Sequence, residues 1–341
     1  MAQINKPTDY FNTVLWTGTG SSQSITGVGF QPDWVWLKSR NASTDHGLWD
    51  SVRGVQKLLA SNQTDAESTT SGLTSFDSDG FTLGSANSNF NFSGRTMVGW
   101  NWLASNTTAS NTDGSITSTV SANTTSGFSI VSYTGNGTAG ATIGHSLGSV
   151  PKMIIVKSRS DVGVWAVYNE NIGNSNGLFL NENYNALSEP AFWNSTSPTS
   201  SVFSVGTSND TNGSSRTYIA YCFAEKKGFS KAFSYTGNGS TDGSFCYLGF
   251  RPAFILLKNA DRAENWFMFD NKRDTYNVAD AYLNADASTA ETTLATVDFL
   301  SNGFKIRTSG AYANFSGSNI IGIAFAENPL VSTAGVPCTA R

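Results

Sequence analysis

Short apolar runs, each closed by a cluster of Gly, Asn, Asp, Ser or Pro, recur along the whole chain. Runs of roughly four to seven residues bounded by turn formers predict strands, because helices need longer stretches with a period near 3.6. Met153-Ile154-Ile155-Val156 lacks polar alternation and so predicts a strand covered on both faces. Helical periodicity is nearly absent, and Val52 to Ala60 and Ala279 to Asn284 are predicted to hold at most a short turn. Thr-Gly-x-Gly and Ser-Asp-Gly-Phe phrases supply tight turns, since Gly and Asn tolerate positive φ.

This pattern is written three times in one order. It opens on Leu15-Trp16-Thr17-Gly18-Thr19-Gly20, on Ser132-Tyr133-Thr134-Gly135-Asn136-Gly137 and on Ser234-Tyr235-Thr236-Gly237-Asn238-Gly239. Pro32, Pro151 and Pro252 then lead into apolar strands that finish in Lys38, Lys157 and Lys258. A Trp-bearing strand follows each time, with Trp49, Trp165 and Trp266. Phe76 to Phe81 matches Phe299 to Phe304, with Phe203 in the middle copy, and Phe223-Ala224-Glu225 and Phe325-Ala326-Glu327 end two of the copies. Such recurrence at about 100 residues is an internal triplication.

The expected fold is therefore all-β: three tandem homologous antiparallel β-sandwich units, of jelly-roll or lectin-like type. Residues 1–104 would hold an N-terminal arm and the first sandwich, 105–227 a linker and hairpin with the second, and 228–341 the third with a C-terminal tail. In the longer first interval Ser115 to Val120 alternates as a strand, and Asn123 to Gly127 turns before Phe128. The short junction Lys226-Lys227-Gly228 predicts close packing of the second and third copies. Met1 to Asn12 and Asn328 to Arg341 lie outside the repeats and are predicted to be extended and to make contacts between subunits of a homo-oligomer.

Composition sharpens the class. Of 341 residues only 13% are charged, against about 25% in an average globular protein. Ser, Thr, Asn and Gly fill the vacated positions, as in extracellular and virion β proteins. Nine Trp and 22 Phe suffice for several cores. The net charge of −4 and the absence of any Lys/Arg block leave no footprint for nucleic acid. No apolar run approaches membrane-spanning length, and Met1 to Pro7 lacks a signal-peptide core. Cys222, Cys246 and Cys338 form no metal spacing; the first two read as small buried hydrophobes, with a Cys222–Cys246 disulfide left open.

Certain phrases resemble an uncharacterised repeat-containing family of virion proteins in tailed, often marine, bacteriophages. They are Ile4 to Thr13, Gly27 to Asp33, Gly135 to Gly137 and Phe325-Ala326-Glu327-Asn328-Pro329. The likeness spans essentially the whole chain. It implies a virion location and a tail-fibre, adhesin or head-decoration role on a lectin-like sandwich. Other virion proteins and a host cell-surface glycan would be its partners, without membrane insertion. It carries no catalytic residues to transfer.

The residues themselves offer little chemistry. His46 and His145 stand in polar, loop-like phrases and read as surface residues, and no GxSxG elbow or zinc ligand set occurs. Asp50 with Arg53 and Asp270 with Arg273 repeat an Asp-x-x-Arg motif that becomes Asn169 in the middle copy. It could clamp a ligand, but an ion pair tying a strand end to its loop is favoured. Trp193 and Tyr184 are candidates for stacking on sugars. Calcium would need loops such as Asp77 with Asp79, Asn111 with Asp113, or Asn209 with Asp210. A polysaccharide depolymerase would draw its carboxylates from Asp50, Asp270, Glu170, Glu182 and Glu189. The favoured reading is not an enzyme and has no cofactor.

Overall fold

The computed structural model describes residues 3–85 and 89–339. It is an all-β chain of antiparallel sheets. One strand order occurs in three stretches: Phe11–Thr17, Thr96–Trp102, Trp34–Ser39, Gly47–Asp50; then Phe128–Thr134, Thr217–Ala224, Pro151–Ser158, Ala166–Asn169; then Ser230–Thr236, Asn319–Pro329, Phe250–Asn259, Phe267–Asp270. Each time the last strand in sequence inserts between the first and the third. The three sheets are called first, second and third below.

Strand side chains alternate between faces, and here both faces are buried. Trp34 and Trp36, Met153 and Ile155, and Phe254 and Leu256 point to one core common to all three sheets. Val35 and Leu37, Ile154 and Val156, and Ile255 and Leu257 point the other way, into a separate outer core for each sheet. The predicted two-sided burial of Met153 to Val156 thus has its cause: two cores, one inside and one outside. Rings from different sheets meet in the common core: Trp34 stacks on Tyr221 at 4.3 Å, Phe11 on Phe325 at 5.2 Å, and Phe223 meets Phe325 edge-on at 5.8 Å. Each buried ring of this size is worth about 1.5–3 kcal/mol over its exposed state.

Outer strands cover the remaining faces. They are Gln23–Thr26, Gly80–Leu83 and Leu73–Asp77 for the first sheet, and Ala141–Gly144 with Val202–Val205 for the second. In the third, Ala279–Asn284, Thr292–Leu300, Gly303–Ile306 and Phe245–Tyr247 continue the sheet itself. The recurring Thr-Gly-x-Gly phrase joins first strand to outer strand. A Cβ at its first glycine would sit 2.2–2.5 Å from a carbonyl oxygen, at Gly18, Gly135 and Gly237. Its second glycine has φ of 70–75°, at Gly20, Gly137 and Gly239, which only glycine adopts cheaply.

Several expectations change. Ala279–Asn284 is a strand, while short helical turns form at Pro190–Trp193 and Ala311–Asn314. The arm is not wholly extended: Pro7–Asp9 makes a 3-10 turn and the first strand already begins at Phe11. The tail folds back through a Val331–Pro337 bridge onto the same chain's arm, where Gln3 Nε2 donates to Val331 O and Asn5 Nδ2 to Thr333 Oγ1, both at 2.6 Å. In the 105–127 interval, Ala109–Asn111 and Ser118–Asn123 pair as strands, and the latter adds to the edge of Phe128–Thr134.

Candidate functional site

The strand-ending lysines and the Asp-x-x-Arg pairs that the repeats retain lie where the sheets meet. Lys157 Nζ crosses from the second sheet to the carbonyl of Thr64 at 3.1 Å, Lys38 from the first to Ser288 at 3.2 Å, and Lys258 from the third to Asn183 at 3.1 Å. The reach has one sense at all three seams. Burial pushes each ammonium down to about 8, and the carbonyl oxygens supply the acceptors that a desolvated ammonium requires. Backbone bonds recur at the same three seams and donate in the opposite sense, with Glu67 N donating to Arg159 O, Glu291 N to Arg40 O and Ala186 N to Ala260 O, at 2.7–2.8 Å.

Two of the seams add a buried ion network around the Asp-x-x-Arg motif. At the first–second seam Arg53 Nε donates to Asp50 Oδ2 at 2.5 Å, and the same guanidinium reaches Glu67 and the carbonyl of Leu48. Arg159 of the second sheet holds Glu67 from the other side, and Tyr221 donates its hydroxyl to Asp50 at 2.8 Å. At the third–first seam Arg273 binds Asp270, Glu291 and the carbonyl of Met268; Arg40 grips Glu291 with two nitrogens, and Trp100 Nε1 donates to Asp270 at 3.0 Å. Burial works against the charges of Arg53 and Glu67. Asp50 outweighs it for the guanidinium, and Arg159 with Arg53 outweighs it for the carboxyl, so both stay ionised.

The second–third seam carries none of this. In register with Asp50, Arg53, Glu67, Arg159 and Tyr221 stand Asn169, Ile172, Ala186, Ala260 and Ile323. Ile172, Ala186 and Ala260 pack on the common core instead, and Asn169 Nδ2 is buried with no partner. The replacement is concerted for a physical reason. Removing one member of a buried ion pair strands the other at a cost of about 3–5 kcal/mol, whereas replacing the whole set with apolar groups can be neutral.

The sequence-based candidates are therefore redistributed. Asp50, Arg53, Asp270 and Arg273 are interior ion pairs with no exposed side-chain surface, so they tie sheet to sheet and offer no clamp to a ligand. Trp193 is buried in the outer core of the second sheet and presents no stacking face, while Tyr184 is exposed. His46 and His145, expected on the surface, are both buried. His46 Nδ1 accepts from Trp36 Nε1 at 2.8 Å and its Nε2 lies 2.9 Å from the carbonyl of Asn284, while Leu147 N donates to His145 Nδ1. Cys222 and Cys246 are separate buried thiols in different outer cores; burial raises both, Cys246 to about 12.

The turn carboxylates are taken up by backbone and side-chain donors of the fold. Asp79 accepts from the amides of Gly27 and Gly29, Asp77 from Ser75 and Thr82, and Asp210 from Val164 N. Asn111 and Asp113 bond each other. No cluster of three acidic, His or Cys side chains suited to a metal occurs among the described residues. Of the depolymerase candidates, Asp50 and Glu170 are not brought together: Asp50 lies inside the first–second seam, and Glu170 sits beside the second–third seam, paired with Lys152 at 2.5 Å.

Glu67, Arg159, Arg40 and Glu291 were not anticipated. A signal existed: Lys38-Ser39-Arg40 and Lys157-Ser158-Arg159 keep an arginine that Lys258-Asn259-Ala260 lacks, so arginine and Asp-x-x-Arg vary together across the seams. No curated protein and no solved structure matches this chain. Residues 6–329 match one family along nearly the whole fold just described, and the chain belongs to it: the family of the domain of unknown function DUF7483.

Proposed function

We propose that this chain is a non-enzymatic surface protein of a tailed-bacteriophage virion, of tail-fibre, adhesin or head-decoration type, that mediates attachment to the host surface or its glycans. In this reading it consists of three tandem homologous sandwich units, divided as 1–104, 105–227 and 228–341, set around a common core. One observation supports it above others: the repeated lysines and Asp-x-x-Arg pairs are spent inside the seams, and the exterior is rich in hydroxyl and amide side chains. That suits a particle surface, where persistence matters and catalysis does not.

Immunogold labelling of purified particles with antibody against this chain tests the reading. Gold on fibres or tail tip supports attachment, and gold over the head supports the decoration form. Particles without label, from a host lysate that contains the protein, would overturn it.

A further inference from the structure

The seam that lacks the ion network carries a groove. Between the second and third sheets a recess of about 440 Å³ is lined by Ile172, Ala186 and Ala260. The other two seams fill those positions with Arg53, Glu67 and Arg159, or with Arg273, Glu291 and Arg40. Exchanging two guanidinium arms and a carboxylate for one Ile and two Ala removes the side chains that occupy this space elsewhere. Asn171 joins the recess to a second, of about 470 Å³. Glu225, Lys231 and Tyr247 join that one to a third, of about 360 Å³.

The groove offers fixed acceptors and two rings. Asn171 Nδ2 donates to Asn169 Oδ1 at 3.0 Å, Asn176 Nδ2 to Ile172 O at 2.6 Å and Asn185 Nδ2 to Ala186 O at 3.0 Å. Among the described residues no group donates to the three amide oxygens, so each is left as an acceptor for a ligand. Glu170 is paired with Lys152, and Lys231 lies close enough to Glu225 to favour its charge, so these carboxylates already have their cations. Phe245 and Tyr247 line the middle recess and are 45% and 53% exposed. Ladder register places them where the other sheets have Ser24 and Thr26, or Thr142 and Gly144, so the rings belong to this groove alone.

We infer that the groove binds an uncharged oligosaccharide, an assignment that rests on the attachment reading above and gives it a site. A sugar hydroxyl donates one hydrogen bond and accepts two, which suits amide and carboxylate oxygens held in place. The C–H face of a pyranose ring packs on an exposed aromatic ring. Recesses of about 300–1,000 Å³ are the size that holds small ligands, and apolar ligands take apolar linings; the polar lining here selects a hydroxylated one. A phosphate or a uronate would meet Glu170, Glu225 and Asp261. Linked recesses take successive sugars of one chain.

Saturation-transfer NMR of the full-length protein with tetrasaccharides of glucose, galactose, mannose and N-acetylglucosamine tests this. At least one should bind at millimolar concentration or below. Ala186→Glu with Ala260→Arg rebuilds, in register, the Glu–Arg pair of the other two seams. It should fill the recess and abolish that binding without lowering the unfolding temperature. Tyr247→Ala, a change at an exposed position, should weaken binding about tenfold. No binding by any of the tetrasaccharides, or unchanged binding by either variant, overturns the inference. Because the assay uses no particles, it fails separately from the virion reading. Labelled particles without sugar binding refute the groove alone, and sugar binding with unlabelled particles refutes the virion location alone.

Discussion

His46 occupies the register position of Trp165. Each directly precedes the strand that pairs with the lysine-ended strand, and each sends a ring nitrogen across a seam to a carbonyl: His46 Nε2 to Asn284 at 2.9 Å, Trp165 Nε1 to Ala60 at 2.9 Å. Trp266, with Phe179, completes the set at 2.8 Å. Because Trp36 can only donate to Nδ1, the proton of His46 resides on Nε2. The imidazole is a smaller version of the indole, performing the same bond.

That substitution makes the protein acid-sensitive. Burial first, and the nearby Lys38 charge second, push His46 down to about 3, against about 6.5 in the unfolded chain. The unfolded state binds the proton between these values, so stability is full above pH 6.5 and falls as pH drops toward 3, approaching about 1.4 kcal/mol per pH unit. His145, lowered by burial, acts in the same direction. Denaturant unfolding of His46→Gln at pH 7 and pH 4.5 should show a pH difference about 2 kcal/mol smaller than that of the parent; an unchanged difference would refute the assignment.

The ion networks should behave as units. Arg53→Met leaves Asp50 and Glu67 buried without it, and costs about 3–5 kcal/mol. The set Asp50→Asn, Arg53→Ile, Glu67→Ala, Arg159→Ala and Tyr221→Ile rebuilds the second–third seam at the first–second position, and should cost far less than the sum of its single changes. Multiple-mutant cycles by chemical denaturation measure the coupling.

Phe325 touches Phe11, Trp102, Phe223, Phe229 and Phe254, drawn from all three sheets. Phe325→Ala should therefore cost about 3–5 kcal/mol. Because the core is shared, calorimetry should record one unfolding transition that moves as a whole, rather than one melting step out of three.

Cys338, partly accessible in the tail, should react with a thiol reagent in the native protein. Cys222 and Cys246, whose thiolates burial disfavours, should react only after unfolding. Native labelling of all three at one rate would contradict the outer cores described.

The strands and their recurrence were legible because turn chemistry and apolar run length are local properties. The common core was not, since nothing in Trp34-Val35-Trp36-Leu37 distinguishes inward residues facing one's own sandwich from those facing two neighbours. Trp49 illustrates the limit. Read as the partner of Trp165 and Trp266, it is in register with Tyr168 and Phe269 and faces an outer core, while the matching position holds His46. Likewise Asp50 and Arg53 were visible as a pair, but Glu67 and Arg159, far away in sequence, join them only through the seam.

The cyclic reach of Lys38, Lys157 and Lys258 is what a homotrimer would use, but here the ring is made of a single molecule. Dilution cannot take it apart, since its neighbours are held at an effective concentration fixed by the chain. A homotrimer, moreover, must accept every substitution at all three interfaces at once. One covalent chain can keep two interfaces ionic and let the third drift to Asn169, Ile172, Ala186 and Ala260, so that a symmetric scaffold acquires a front and a back.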